Sequence, residues 1–198
     1  MTSLCLASAS PRRSQLLAQI GVPHVTMATD TDESRLAHES PQAYACRLAA
    51  DKARAAIAAG AAGAGAVLAA DTCVVLGDRI LGKPGDEKEC VTMLMALSGR
   101  VHEVLTAVAL AHGTEVVVEL SRSLVTFRTL DPAECRDYWA TGEPRDKAGG
   151  YAVQGLAAVF IERIEGSYSG VMGLPLFETA RLLAHAGVCC WQGAGAGQ

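Results

Sequence analysis

Several short stretches of this 198-residue chain carry side chains whose types and spacing suit phosphate chemistry. In Ser8-Ala9-Ser10-Pro11-Arg12-Arg13, a strand ends, two hydroxyls follow, and Ser10-Pro11 signals a helix start. The free N–H groups and positive end of a helix favour an anion there. Two arginines in a first turn oppose the helix dipole and call for a compensating partner, which a phosphate chain supplies. The plainer reading is a serine cap with arginines on a solvated face.

The stretch Ala69-Ala70-Asp71-Thr72-Cys73-Val74-Val75 sets a carboxylate inside an apolar strand. That placement is unfavourable unless the group is paired or metal-bound, so Asp71 is a candidate metal ligand or general base, against a sheet-edge carboxylate as the alternative. Lys83, in Gly82-Lys83-Pro84, follows that strand, and Lys52 lies on a long helix. Each lysine alone reads as a surface group, but together with Asp71 and the arginines they can neutralise a polyphosphate. Glu33, in the acidic run Thr29-Asp30-Thr31-Asp32-Glu33-Ser34, belongs to an oxygen-rich loop of the kind that suits Mg²⁺, although acidic runs are commonly just solvated. Finally, Asp146-Lys147-Ala148-Gly149-Gly150-Tyr151-Ala152-Val153-Gln154-Gly155 reads as a glycine-rich bend opening a strand, with Lys147 and Gln154 beside a ligand. The Gln154 amide offers one donor and one acceptor, which fits the imide edge of uracil or thymine.

The elements that must position these groups alternate along the chain. Strands are expected over Ser3–Ala7, Val25–Ala28 and Ala66–Leu76. Helices are expected from Ser10 to Gly21, from Ser40-Pro41 to about Ala59, and from Asp86 to Gly99. The stretches His102–Ala111 and Glu115–Thr129, joined around His112-Gly113, read as a hairpin. Asp131-Pro132-Ala133-Glu134 starts another helix, Tyr151–Ile164 reads as a strand, and Leu174–Ala186 reads as a final helix. The pattern predicts an α/β fold, a mixed sheet flanked by helices around a cleft between two lobes, in one domain over residues 1–198 with a flexible tail from about 192.

Composition narrows the class. Half of the residues are apolar and 19% are charged, enough for a sizeable core, and the many alanines and glycines predict closely packed helices. A net charge of −4 excludes the basic face of a nucleic-acid binder. The seven cysteines form no C-x-x-C pair and read as reduced and buried, in a cytoplasmic protein. The N-terminal segment does not read as a secretory signal, and the run Ala55 to Ala70 is too short to span a bilayer. Neither G-x-x-x-x-G-K-[ST], G-x-G-x-x-G nor H-E-x-x-H occurs. His102 is read as structural.

Residues 6–17, 70–84, 97–110 and 146–176 resemble, in that order, the motifs of the Maf family of nucleotide pyrophosphatases. The resemblance implies an elongated mixed sheet with a deep cleft, and release of pyrophosphate from a nucleoside triphosphate with a divalent cation, Mg²⁺ or Mn²⁺. It implies Asp71 as proton acceptor, with Lys52 and Lys83 catalytic and Glu33 and Asp71 serving the metal. It places Ser8, Arg13 and Lys147 on the substrate, and Arg12, Thr72 and Gln154 at positions that set preference. Arg12 and Gln154 favour the dTTP/UTP branch over its sister branch. That branch takes 7-methyl-GTP with an aromatic residue and an acid at these positions, as a cationic base requires. Ala157-Ala158 and Cys73 depart from the family pattern without removing a functional group. A homodimer is the implied assembly. The rival class is a septum-formation regulator acting through a partner or DNA, and the acidic composition weighs against DNA.

Overall fold

The computed structural model describes residues 3–191, so the expected tail from about 192 lies outside the described residues. The seven strands are β1 (Leu4–Ala7), β2 (Val25–Met27), β3 (Ala66–Leu76), β4 (Arg79–Leu81), β5 (Val101–His112), β6 (Glu115–Phe127) and β7 (Ile161–Glu165). The α-helices are α1 (Pro11–Gln19), α2 (Pro41–Ala58), α3 (Glu87–Leu97), α4 (Pro132–Ala140), α5 (Tyr168–Met172) and α6 (Leu176–His185). All strands join one mixed sheet in the order β2-β1-β3-β5-β6-β7, with β4 also paired to β3.

Alternation along β3 divides the core. Ala66, Leu68 and Ala70 face α1 and α6, in a cluster with Leu4, Leu6, Leu17, Leu182 and Leu183. Val67, Ala69, Cys73 and Val75 face α2, whose Ala45, Ala49, Ala53 and Ala56 let its backbone approach the sheet. A third cluster packs α3 and α4 on Val74, Val104, Val125 and Phe127. The close helix packing expected from alanine is thus present on the α2 face.

One edge of β3 changes partner along its length. Its first half pairs in parallel with β1, ending at Ala7↔Ala69, and its second half pairs antiparallel with β4 from Val74↔Leu81 onward. Residues 70–73 lie between these two ladders on that edge. In α/β sheets, ligands bind outside the carboxyl ends of parallel strands where the strand order switches, and this break is such a point.

The hairpin of β5 and β6 turns at Gly113, in the left-handed region at φ 61°. Three expectations need correction. β4 was not anticipated, because three residues between Gly77 and Gly82 carry too short a period-two signal. Ser10 is the N-cap residue of α1, as expected, but its side chain makes no capping bond; instead Ser8 Oγ accepts the Ser10 N–H at 3.1 Å. The strand expected over Tyr151–Ile164 exists only as Ile161–Glu165, since residues 156–160 form a 3₁₀ turn. Gln154 therefore sits in a turn and is exposed. The apolar run Ala152–Phe160 misled the reading because β-propensity reports packing environment more than backbone preference. No helix among the described residues is long and apolar enough to cross a membrane.

Candidate active site

A pocket of about 550 Å³ opens at the break in β3. That volume lies in the range of sites for nucleotide-sized ligands. Ser8, Arg12, Arg13, Glu33, Lys52, Asp71, Thr72, Lys83, Lys147 and Gln154 all line it, so every site residue expected from the sequence is brought to one place.

Asp71 and Thr72 are successive on β3 and point to opposite faces. Asp71 turns towards α2, where Lys52 Nζ donates to its Oδ1 at 2.6 Å. The same ammonium donates to Glu33 Oε1 at 2.6 Å, so two carboxylates converge on one cation. Asp71 Oδ2 and Glu33 Oε2 keep no protein hydrogen bond among the described residues. Burial pushes the Asp71 carboxyl above its ordinary range, opposed by the Lys52 ammonium and by Arg13. Glu33 is partly desolvated, which acts upward, but the Lys52 hydrogen bond and charge prevail and hold it below its ordinary range. The two carboxylates are thus pushed apart in acidity by their surroundings, the pattern that separates a base from an ionised ligand.

Thr72 turns towards α1. Its Oγ1 accepts from Arg13 Nη2 at 3.3 Å and lies 3.0 Å from Thr106 Oγ1, its cross-strand partner on β5. Arg13 Nη1 donates to Ser8 Oγ at 3.2 Å, and Arg13 Nε to the Gly173 carbonyl at 2.8 Å. These are neutral acceptors; among the described residues Arg13 has no ion pair. Burial pushes its pKa down, and the Asp71 charge pulls the other way. Three of five guanidinium N–H groups are engaged by these bonds, which leaves two for an anion. The compensating partner expected for two first-turn arginines is therefore only partly supplied by the protein.

Arg12 Nη1 stands 3.9 Å from Asp146 Oδ2, and Lys147 pairs closely with the same carboxylate. Lys83 forms no ion pair among the described residues. Its loop is fixed from the far side, where the Gly149 N–H donates to the Gly82 carbonyl at 2.9 Å. Gly149 has φ 70°, and a Cβ there would come within 2.9 Å of Val74 Cγ1, so glycine is required for this close approach. The Gln154 amide has no protein hydrogen bond among the described residues.

Sequence reasoning missed Thr106, Tyr44 and the α5 turn. Tyr44 Oη donates to the Glu33 carbonyl at 3.0 Å and so fixes the acidic loop. Thr106 Oγ1 also donates to the Gly170 carbonyl at 2.7 Å. A signal for Thr106 exists in the sequence, a hydroxyl in an otherwise apolar strand, but its pairing to Thr72 needs the hairpin register. Among the described residues no three His, Cys, Asp or Glu side chains converge as a metal cage. His102 is buried, with Nε2 2.8 Å from Tyr151 Oη.

The profile of the family described as Maf-like protein matches residues 3–186. A protein of Saccharophagus degradans named dTTP/UTP pyrophosphatase is 51% identical over 191 residues, covering 96% of this chain and 91% of its own length. Proteins of the same name from Alkalilimnicola ehrlichii and Methylobacillus flagellatus are 53% and 52% identical, over 90% and 95% of this chain and 90% and 94% of their own lengths.

Proposed function

This chain belongs to the Maf family, and on that premise we propose that it is a nucleoside triphosphate pyrophosphatase that hydrolyses dTTP and UTP to the monophosphate and pyrophosphate. One observation carries the reading beyond the family. A buried carboxylate raised in pKa, Asp71, faces a pocket whose other charged groups are Arg12, Arg13, Lys52, Lys83 and Lys147 with the acids Glu33 and Asp146. That is the charge pattern of a site that holds a polyphosphate beside a base.

In this reaction Asp71 takes a proton from water as the water oxygen bonds to the α-phosphorus. The bond from that phosphorus to the bridging oxygen breaks, and pyrophosphate leaves with the electron pair. Lys52 holds Asp71 in place and, with Lys83 and the two spare N–H groups of Arg13, offsets the charge that grows on the leaving group. Ser8 and Thr72 hold the Arg13 fork towards the phosphates. Lys147, paired with Asp146, stands ready for the phosphate tail, and Arg12, drawn towards the same carboxylate, stands with Gln154 at the base end.

A divalent cation fits the donor set. Glu33 and Asp71 already converge on the Lys52 ammonium and keep one carboxylate oxygen each, a hard donor, for a second cation. One or two carboxylates plus substrate phosphates are how Mg²⁺ is usually held. When bound, such an ion neutralises phosphate charge and polarises the anhydride. Gln154 matches the imide edge of uracil or thymine, and this supports a pyrimidine base. On family resemblance alone, the reading extends to a cytoplasmic homodimer; a monomer in sedimentation velocity overturns that part.

The direct test is pyrophosphate release from a panel of dTTP, UTP, CTP, GTP and 7-methyl-GTP with Mg²⁺ or Mn²⁺. The expected outcome is fastest turnover of dTTP and UTP. Preference for 7-methyl-GTP reassigns the chain to the sister branch, and no release from any triphosphate overturns the activity.

A further inference from the structure

The turn that carries Gln154 is held by two side chains outside the pocket. Tyr138, buried on α4, accepts the Ala152 N–H on its Oη at 3.3 Å and donates the same hydroxyl to Glu143 Oε1 at 2.7 Å. Glu143 Oε1 accepts the Ala157 N–H at 3.3 Å, and its Oε2 accepts the Leu156 N–H at 3.1 Å. The two residues therefore tie the backbone on both sides of Gln154 to one hydrogen-bonded relay. Gly155 N–H donates to the Ala152 carbonyl at 3.1 Å and closes the turn inside that relay. The packing leaves no slack, because a Cβ on Gly155 would meet Glu143 Oε2 at 2.1 Å. By contrast, the Gln154 side chain itself has no protein partner among the described residues. Its aim depends on the backbone beneath it.

Glu143 also sits in the same 3₁₀ turn, Glu143–Asp146, as the carboxylate that faces Arg12 and Lys147. One turn thus bears on both groups at the base end of the proposed reaction: Glu143 ties the backbone around Gln154, and Asp146 stands 3.9 Å from Arg12.

We infer that Tyr138 and Glu143 are positioning residues for base selection: the relay holds the Gln154 turn so that its amide meets the nucleobase edge, and neither residue touches substrate. The inference rests on the reading of Gln154 given above. A merely structural relay, in which the turn is held for stability alone, lowers turnover of every nucleotide alike. A positioning relay acts on the ratio between nucleotides, because a correctly aimed amide rejects a base of the wrong donor pattern through unpaired polar groups.

The experiment measures kcat/KM for dTTP and CTP, which differ in pairing edge, on wild type, Tyr138→Phe, Glu143→Gln, Gln154→Ala and the double variant Tyr138→Phe/Gln154→Ala. Phenylalanine keeps the ring that packs edge-on against Phe160 at 5.2 Å and removes only the hydroxyl, and the thermal midpoint checks the fold. The expected result is a loss of about tenfold in the dTTP over CTP ratio for Tyr138→Phe, with Glu143→Gln in the same direction. In the Gln154→Ala background, Tyr138→Phe changes the ratio no further, since the group it aims is gone. An unchanged ratio in Tyr138→Phe, or the same loss with and without Gln154, overturns the inference while leaving the pyrophosphatase reading intact. If Gln154→Ala itself leaves the ratio untouched, the base-reading role of Gln154 falls, and the relay's role in selection falls with it.

Discussion

Asp71 Oδ1 lies 2.6 Å from Lys52 Nζ, and this contact opposes the effect of burial on the acidity of the group proposed as the base. Burial favours the neutral carboxyl, and the ammonium favours the carboxylate. Burial prevails in the protein alone. Asp71→Asn keeps the side-chain shape and removes the proton acceptor, so kcat is expected to fall on the order of 10³-fold with the fold retained. A variant with near-normal kcat in pyrophosphate release excludes Asp71 as the base.

Lys52 supplies the main force that keeps Asp71 ionised, so its removal has a predictable sign. In Lys52→Met the downward pull on Asp71 is lost and its pKa rises further. The acid limb of kcat/KM against pH then moves to higher pH, on top of a lower maximum. Profiles of wild type and Lys52→Met at saturating metal read this directly; an acid limb that stays in place or moves down shows that another group sets it.

Activity is expected to vanish in excess chelator and to return with Mg²⁺ or Mn²⁺, because the site offers carboxylate oxygens and no thiolate among its proposed donors. Glu33→Gln removes one of the two carboxylates that share Lys52 and should weaken Mn²⁺ binding, read by paramagnetic resonance without turnover. Full activity in excess chelator contradicts the assisted reaction.

Much of this site was legible in the sequence because its signals are chemical mismatches: a carboxylate at Asp71 in an apolar strand and two arginines at a helix start. The Asp71 mismatch is met inside the pocket by Lys52, and that of Arg13 only in part, by the neutral acceptors Ser8, Thr72 and Gly173. The longer helices and strands were legible for a similar reason, since their periods run over nine or more residues. What the sequence hid is set by tertiary contacts. Gln154 lies in a turn rather than a strand because Glu143, eleven residues upstream, accepts two N–H groups of residues 156 and 157 that a ladder would otherwise take. Thr106 joins the site only through the register Thr72↔Thr106, which no local pattern encodes.

His102 gives a stability prediction independent of catalysis. Burial lowers its pKa from 6.5 to about 4, and its ring is packed edge-on against Phe127 and Tyr151. Between those two values the unfolded chain binds a proton that the folded chain refuses. Stability from this group is therefore complete above the unfolded value and is lost as pH falls through the window, by at most on the order of 3 kcal/mol. His102→Gln cannot titrate, so its unfolding free energy should fall less between pH 7 and pH 4.5 in urea titrations. Equal pH dependence in the two proteins would show that His102 is protonated in the folded state.

Base preference is the sharpest test of Arg12 and Gln154. Arg12 is held only loosely, 3.9 Å from Asp146, and the Gln154 amide is unengaged by the protein, so both side chains are free to meet a ligand. A neutral amide offers a donor and an acceptor to the imide edge of uracil or thymine, whereas a carboxylate offers acceptors alone. Gln154→Glu should therefore weaken dTTP and UTP hydrolysis more than any activity on 7-methyl-GTP, by about 1–3 kcal/mol per mismatched group. Arg12→Trp removes a positive charge that repels the cationic methylated base and adds a ring that can stack on it. The double variant should accordingly shift the kcat/KM ratio further towards 7-methyl-GTP than either single change. Because Asp146 retains Lys147 as a partner when Arg12 is lost, the turn beneath Gln154 should survive the substitution. Measuring kcat/KM for dTTP, UTP and 7-methyl-GTP on all four proteins decides the matter, and a ratio that does not move in the double variant means that selection resides elsewhere in the pocket.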